Sequence, residues 1–231
     1  MLNNKIVHAL IPARAGSTRL QGKNIKLLNG KPLIAYTIEQ ANKSKYLDKV
    51  VVSTDSKEIA DVSISYNAEV PFLRPSDISD KKALPHSYLT HYYSYLSDNN
   101  IEMPDITVLL QPTSPLRLAE DIDKSIELLS EKDCDQVLGV YLSDKKPYWY
   151  KTVDDSGYLN DYASFTKSDI DKQSYLINGA IYAFKTSCFR DNIGVAASKV
   201  YPYIMPQERS VDIDTEIDFE LASLLLKRAL N

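Results

Sequence analysis

"KIVHALIPARAGSTRLQGKN", residues 5–24, opens as a near-continuous apolar run and closes as a loop of glycines, hydroxyls and cations. A strand covered on both faces of a parallel sheet has this composition. The loop then lies where such a sheet presents ligands, at the carboxyl end of its first strand. Arg14, Arg19 and Lys23 place three cations within ten residues, Gly16 and Gly22 permit close backbone approach, and Ser17 and Thr18 add hydroxyl donors. A polyphosphate needs this combination, because its charge must be neutralised at short range. The Walker A pattern does not fit: five residues separate Gly16 from Gly22-Lys23, and Asn24 stands where a magnesium-binding hydroxyl would be. The competing reading is a solvated basic loop.

Downstream, strand and helix alternate. "KPLIAYTIEQANKS" (31–44) spaces its apolar residues for a helix and carries Pro32 where a first turn tolerates it. "DKVVVSTD" (48–55) is rich in β-branched residues and predicts a strand, with a helix over 56–67 capped by Asp55 or Ser56. Two prolines make "AEVPFLRP" (68–75) a short edge strand and loop. Helices are expected over 86–98 and 119–132, strands over 135–142 and 178–185, and a strand running into a loop over 106–115. A last helix over 215–230 takes Thr215 as its cap, with acidic residues early and Lys227 and Arg228 late. Repeated strand–helix–strand units predict an α/β fold, a mostly parallel sheet with helices on both faces, in one domain over 1–231. Residues 143–176 break the pattern. They are polar and aromatic, with four tyrosines, one tryptophan and one phenylalanine between 148 and 165. We read them as an inserted excursion, a hairpin with a short helix. Its aromatics suit a subunit interface, against the alternative of a flap packed on its own domain.

Composition narrows the function. The 231 residues carry a net charge of −4, which argues against broad binding to nucleic acid or anionic membranes. No apolar run reaches membrane-spanning length, and the first one flows straight into the glycine loop, so it reads as a strand and not a signal peptide. The two cysteines, Cys134 and Cys188, have neither zinc nor disulfide spacing and read as buried thiols of a reducing compartment. The expected location is cytoplasmic.

Three further segments carry chemistry. In "SVDIDTEIDFE" (210–220), Asp212 and Asp214 flank the apolar Ile213. An extended backbone puts both carboxylates on one face and Ile213 in the core. Two such oxygens, completed by phosphate oxygens and water, make a magnesium site; a solvated strand end is the bland alternative. Asp218, one turn on, reads as compensation for the helix dipole. In "LLQPTSPLR" (109–117), a buried strand ends in Gln111, and a proline-stiffened turn presents Thr113 and Ser114. The Gln111 amide can donate and accept, as a hydroxyl-rich ligand requires. Arg117 either steadies an anion or caps the loop. In "YLINGAIY" (175–182), Asn178 and Gly179 begin a strand, and the glycine signals a close approach of backbone or ligand.

Read together, "IPARAGSTRLQGKNIKLLNGKPLIAYTIEQA", "KVVVSTDSKEIA", "AEVPFLRP", "LLQPTSPLR", "NGAIY" and "MPQERSVDIDTEIDFELA" resemble the acylneuraminate cytidylyltransferase family, the CMP-sialic acid synthetases. The motifs run in family order through nearly the whole chain. The resemblance implies a Rossmann-like nucleotide-diphospho-sugar transferase fold, a homodimer held by the protruding segment at 143–176, and magnesium as cofactor. It implies that CTP is coupled to a nine-carbon 2-keto sugar acid, N-acetylneuraminate or a relative, giving the CMP-sugar and pyrophosphate. The alternatives are a legionaminate- or Kdo-type acid, or a non-catalytic nucleotide-sugar binding protein on the same fold.

By position, the resemblance assigns Arg14 and Lys23 to the CTP phosphates and to catalysis. Ser17, Arg19 and Asn24 fall beside the nucleotide, and Arg74 falls at the base. Gln111, Ser114, Asn178 and Tyr182 fall on the sugar side. Asp212 and Asp214 become the metal ligands, with Asp214 also a candidate in catalysis. The chain departs from the family where a loop lysine is usual: it has Thr18, with Arg19 next, as in the related Kdo enzymes. It also carries "DKKALPHSY" (80–88) where small and hydroxyl residues are usual near the cytosine.

Overall fold

The computed structural model describes residues 4–16, 19–79, 86–164, 166, 172–191 and 193–229. Ser17, Thr18 and residues 80–85, which include part of the expected cytosine contacts, lie outside them. Six strands form the main sheet: β1 (Val7–Pro12), β2 (Lys49–Ser53), β3 (Ile106–Leu109), β4 (Gln136–Ser143), β5 (Ser174–Lys185) and β6 (Val200–Ile204). Their order is β2-β1-β3-β5-β4-β6. Five strands run parallel, and β5 runs antiparallel to both of its neighbours. The helices are α1 (Leu33–Asn42), α2 (Lys57–Ser65), α3 (Ser87–Asp98), α4 (Ala119–Glu131) and α5 (Glu216–Ala229).

The strand period of two divides the core. Val7, Ala9 and Ile11 of β1 pack with Ile34 and Ile38 of α1, Ile59 of α2, and Ile122 and Ile126 of α4. Leu10 and Val51 face the other way, against Leu89, Tyr92, Tyr93 and Leu96 of α3. Both faces of the sheet are therefore covered, as the unbroken apolar run of β1 predicts. A third cluster joins Leu20 and Leu28 of the opening loop to Ile213 and to Phe219 and Ala222 of α5. The last helix is thereby packed onto the loop that follows the first strand.

His8 shares the α3 face of β1. It is buried, and its Nδ1 lies 2.8 Å from the Tyr92 hydroxyl. Burial, reinforced by Lys49, lowers its pKa from 6.5 to about 4. Between those values the unfolded chain takes up a proton that the folded chain refuses, so stability falls as pH falls through this window. From pH 7 to pH 5 the His8 contribution should cost about 2 kcal/mol. Urea titrations of the wild type and of His8→Gln at the two pH values test this; an equal loss in both would refute it.

Several elements differ from the sequence expectation. Strand β6 was not foreseen. It is an edge strand, largely exposed, and Pro202 in its middle argues against a strand in sequence. β5 starts at Ser174 rather than 178, because its first half pairs with β4 alone (Ser143↔Ser174 to Val140↔Ile177) before the strand enters the core. "AEVPFLRP" forms no strand and touches β2 only through the isolated bridges Val51↔Glu69 and Thr54↔Leu73. The excursion contains the expected hairpin, Lys151–Val153 with Leu159–Asp161, preceded by a short 3₁₀ turn at Pro147–Trp149. Cys134 is buried, but Cys188 is only half-buried, in the short turn that follows β5; both are free thiols. Among the described residues, no helix is long and apolar enough to cross a membrane.

Candidate active site

A cleft of about 470 Å³ opens at the carboxyl ends of β1 and β3. Pro12, Arg14, Arg19, Leu20, Lys23 and Asn24 form one wall; Gln111, Pro112 and Thr113 form the floor; Asp212 and Asp214 close the far side, with Tyr88 at the edge. β1 and β3 are neighbours whose connections leave in opposite directions, the arrangement that leaves a crevice in an open α/β sheet.

The opening loop is held at both ends. Asp55, just beyond β2, accepts from the Ala15 amide at 2.9 Å. The buried Asn24 donates from Nδ2 to the Arg14 carbonyl at 2.9 Å. Asn24 thus acts on the loop's own backbone and fixes where Arg14 leaves the strand. Gly22, at φ +63°, supplies the left-handed residue that starts the 3₁₀ turn Lys23–Ile25. That turn aims Lys23 across the cleft, where its Nζ donates to the Ile213 carbonyl at 2.6 Å and to Asp214 at 3.1 Å. Arg19 reaches the other Asp214 oxygen at 3.1 Å. Two cations separated from Asp214 by about 190 residues of sequence therefore converge on one carboxylate.

The segment carrying Asp212 and Asp214 follows the period-two reading. Ile213 is fully buried in the third cluster, and its amide donates to the Thr113 carbonyl at 2.9 Å. Asp212 keeps solvent access through the mouth of the cleft but is recessed among protein atoms. That recession raises its pKa, opposed by a hydrogen bond from Thr113, while repulsion from Asp214 adds to it and Lys23 counteracts it. Asp218 takes no part in the cleft wall. It forms a reciprocal cap with Thr215: the Thr215 amide donates to the carboxylate at 2.8 Å, and the Asp218 amide donates to the hydroxyl at 3.3 Å.

The remaining candidates divide. Gln111 lies on the cleft floor. Tyr182 lies beside the site, half-buried, and its pKa is raised by burial and then by Asp212. Arg74 is buried; its Nε donates to Ser79 Oγ at 3.0 Å, and its pKa is lowered by burial, with Asp55 and Tyr88 opposing and Arg14 adding to the effect. Ser114 and Asn178 sit beneath the surface. Ser114 is fully buried, and its hydroxyl is 3.5 Å from the Asn178 carbonyl. Asn178 spends its amide on Ser210, Met205 and the Ala180 amide. Both shape the floor from below. Thr113, presented by the proline-stiffened turn as its sequence suggests, lines the cleft; so does Tyr88, the last residue of 80–88, although no role is assigned to it from sequence because nothing in a helical aromatic marks it as cleft-facing.

The family model for cytidylyltransferases matches residues 8–225. A CMP-N,N'-diacetyllegionaminic acid synthase of Legionella pneumophila is 37% identical over 224 residues, 95% of each chain. An N-acylneuraminate cytidylyltransferase of Escherichia coli O18:K1:H7 is 35% identical over 96% of this chain, which spans about half (52%) of that protein's length. A pseudaminic acid cytidylyltransferase of Campylobacter jejuni is 30% identical over 94% of this chain and 95% of its own. In fold, the chain is similar to a CMP-2-keto-3-deoxy-manno-octonic acid synthetase solved with CTP, with a TM-score of 0.71 at 17% identity over 97% of this chain and 99% of that one. A 4-diphosphocytidyl-2C-methyl-D-erythritol synthase from Anaerococcus prevotii gives 0.64 at 16%, covering 98% of each. With a cationic loop facing paired carboxylates across a crevice of the expected sheet, and a family match over nearly its whole length, the chain belongs to the cytidylyltransferase family.

Proposed function

We propose that the protein couples CTP to a nine-carbon 2-keto sugar acid, releasing pyrophosphate and forming the CMP-sugar. The observation that carries this reading is one cleft lined by Arg14, Arg19, Lys23, Gln111, Asp212 and Asp214, in which Lys23 and Arg19 converge on Asp214. A mere binder of nucleotide sugars has no need of paired acidic groups beside such cations. The legionaminate and neuraminate relatives, at 37% and 35% identity, point to an acid of that group as substrate.

In the reaction, the sugar's anomeric hydroxyl oxygen forms a bond to the α-phosphorus, the bond from that phosphorus to the β-phosphate bridge breaks, and the hydroxyl proton is released. Protein contributes positioning and charge stabilisation, not covalent chemistry. Arg14 and Lys23, both lining the cleft, would offset charge on the non-bridging and leaving oxygens. A triphosphate competes with Asp214 for Lys23 and Arg19, so nucleotide binding exchanges one anionic partner of these cations for another. The donor set fits a divalent ion. Among the described residues, no group of three or more His, Cys, Asp or Glu is placed to hold a metal. The two hard carboxylates on one wall suit a magnesium ion completed by substrate oxygens. Asp212 and Asp214 would hold it, and when bound it supplies neutralisation of phosphate charge. The same reading includes a cytoplasmic location, which the two free thiols and the nucleotide substrate support.

Pyrophosphate release with CTP, magnesium and a panel of N,N'-diacetyllegionaminate, N-acetylneuraminate and Kdo tests the reading. Release with one of the nine-carbon acids is expected; release with neither of them, or with Kdo alone, would refute it.

The same reading includes a homodimer. Trp149, Val153, Tyr158, Leu159 and Tyr162 are exposed on or beside the hairpin, and Ile217, Leu221 and Leu224 form an exposed stripe on α5. Apolar and aromatic surface of this kind marks an interface. Because Ser143 pairs with Ser174, the chain can be closed by a short turn without disturbing the sheet. Excising 148–170 should give a folded monomer by sedimentation; a dimer after excision would count against this interface.

A further inference from the structure

The guanidinium of Arg117 is fully buried below the cleft floor. Nη1 donates to the Ala180 carbonyl at 2.7 Å and to the Gln111 carbonyl at 3.3 Å. Nη2 donates to Thr37 Oγ1 at 2.6 Å, and that hydroxyl in turn lies 3.4 Å from the Gln111 carbonyl. Nε has no hydrogen-bond partner among the described residues. One planar group therefore ties the end of β3, the bent part of β5 and the middle of α1 together. Burying a cation whose hydrogen-bond partners are carbonyls and a hydroxyl is costly even with the buried Asp121 near enough to favour its charge, and an apolar side chain of similar volume often serves a fold as well.

What the fork does fix is the spacing of two backbones at one point. Gln111 and Ala180 flank Gly179, and the Gln111 amide occupies the space above that glycine: a Cβ there would stand 2.6 Å from Gln111 Oε1. The separation of Gln111 from Ala180 thus sets where the amide sits in the cleft. We propose that Arg117 is a positioning residue for the sugar-acid half of the site, acting through the backbone of Gln111. The proposal rests on the reading that Gln111 contacts the sugar acid. Arginine is required because only a planar fork bridges two carbonyls and a hydroxyl at once; lysine keeps the charge but not the geometry.

Steady-state kinetics on Arg117→Lys, Thr37→Val and Gln111→Ala, with melting temperatures, test this. Arg117→Lys should raise KM for the sugar acid about tenfold while KM for CTP stays within about twofold of the wild type. Thr37→Val, which removes one partner and keeps the volume, should shift the same constant less; it also serves if Arg117→Lys does not fold. Unchanged sugar-acid KM in both variants, or parallel changes in both substrates that follow the loss of melting temperature, would overturn the proposal. If Gln111→Ala itself leaves the sugar-acid KM unchanged, the reading of Gln111 fails, and the proposal with it; if Gln111→Ala raises it and the Arg117 and Thr37 variants do not, the positioning role alone fails.

Discussion

Asp212→Asn should lower turnover by about 10³-fold or more while leaving the fold intact or slightly more stable. The two effects have opposite signs for one reason. The Asp212 carboxylate is recessed and repelled by Asp214, and both raise its pKa. Removing the charge relieves both costs in the folded chain, and asparagine keeps the shape and can still bond to Thr113. The anchor of the segment is Ile213, which the substitution does not touch. Catalysis loses one of two carboxylates on the wall that would hold the cation. Pyrophosphate release and thermal melting, measured on the same preparation, check this. Turnover within tenfold of the wild type would remove Asp212 from the metal role, and a large fall in melting temperature would show the carboxylate to be structural.

Gly179→Ala should likewise separate stability from activity. Gly179 has φ +72°, a region that costs a residue with a side chain about 1–2 kcal/mol. The new methyl would stand 2.6 Å from Gln111 Oε1 and 3.5 Å from Asp212 Oδ2. The first contact is the far end of a flexible side chain, so the chain folds and the amide swings away. A displacement of about 1 Å at a substrate contact can lower rate by about 100-fold. The expectation is thus a modest fall in melting temperature with a loss of kcat/KM of that order. Near-normal kcat/KM would show that the Gln111 amide needs no fixed place.

The sequence carried the parts of the fold that rest on periodicity. The buried run of β1, the β-branched run of β2 and the amphipathic α4 all lie where their apolar spacing puts them. So does the Asp212–Ile213–Asp214 alternation, because it is a local, period-two signal. β6 and the first half of β5 were not legible. β6 carries Pro202 in its middle, the first half of β5 begins inside the polar and aromatic excursion, and their pairing with β4 depends on residues far along the chain. The convergence of Lys23 and Arg19 on Asp214 is hidden for the same reason, since the partners are about 190 residues apart. Asn178 and Ser114 carry polar side chains that look like ligand contacts; burial turns them inward. Arg117 has two readings in sequence, anion contact or loop cap; its bond to the Gln111 carbonyl fits the loop cap, and its bonds to Ala180 and Thr37 carry it beyond that loop, which no local pattern shows.

The place of β5 bears on how the chain assembles. It is the only strand between β3 and β4, so the three strands on one side and the two on the other have no backbone bonds to each other except through it. It is also fifth of the six in chain order. Until it docks, β3 and β4 each present an unpaired edge of the kind that recruits other chains. Docking of β5 therefore joins the two halves of the sheet, by pairings of long sequence separation on the β3 side. Such pairings form slowly, because loop-closure entropy must be overcome first. The active-site floor, Gln111 against Gly179 and Ala180, straddles this seam, so the cleft takes shape only when the two halves of the sheet are joined.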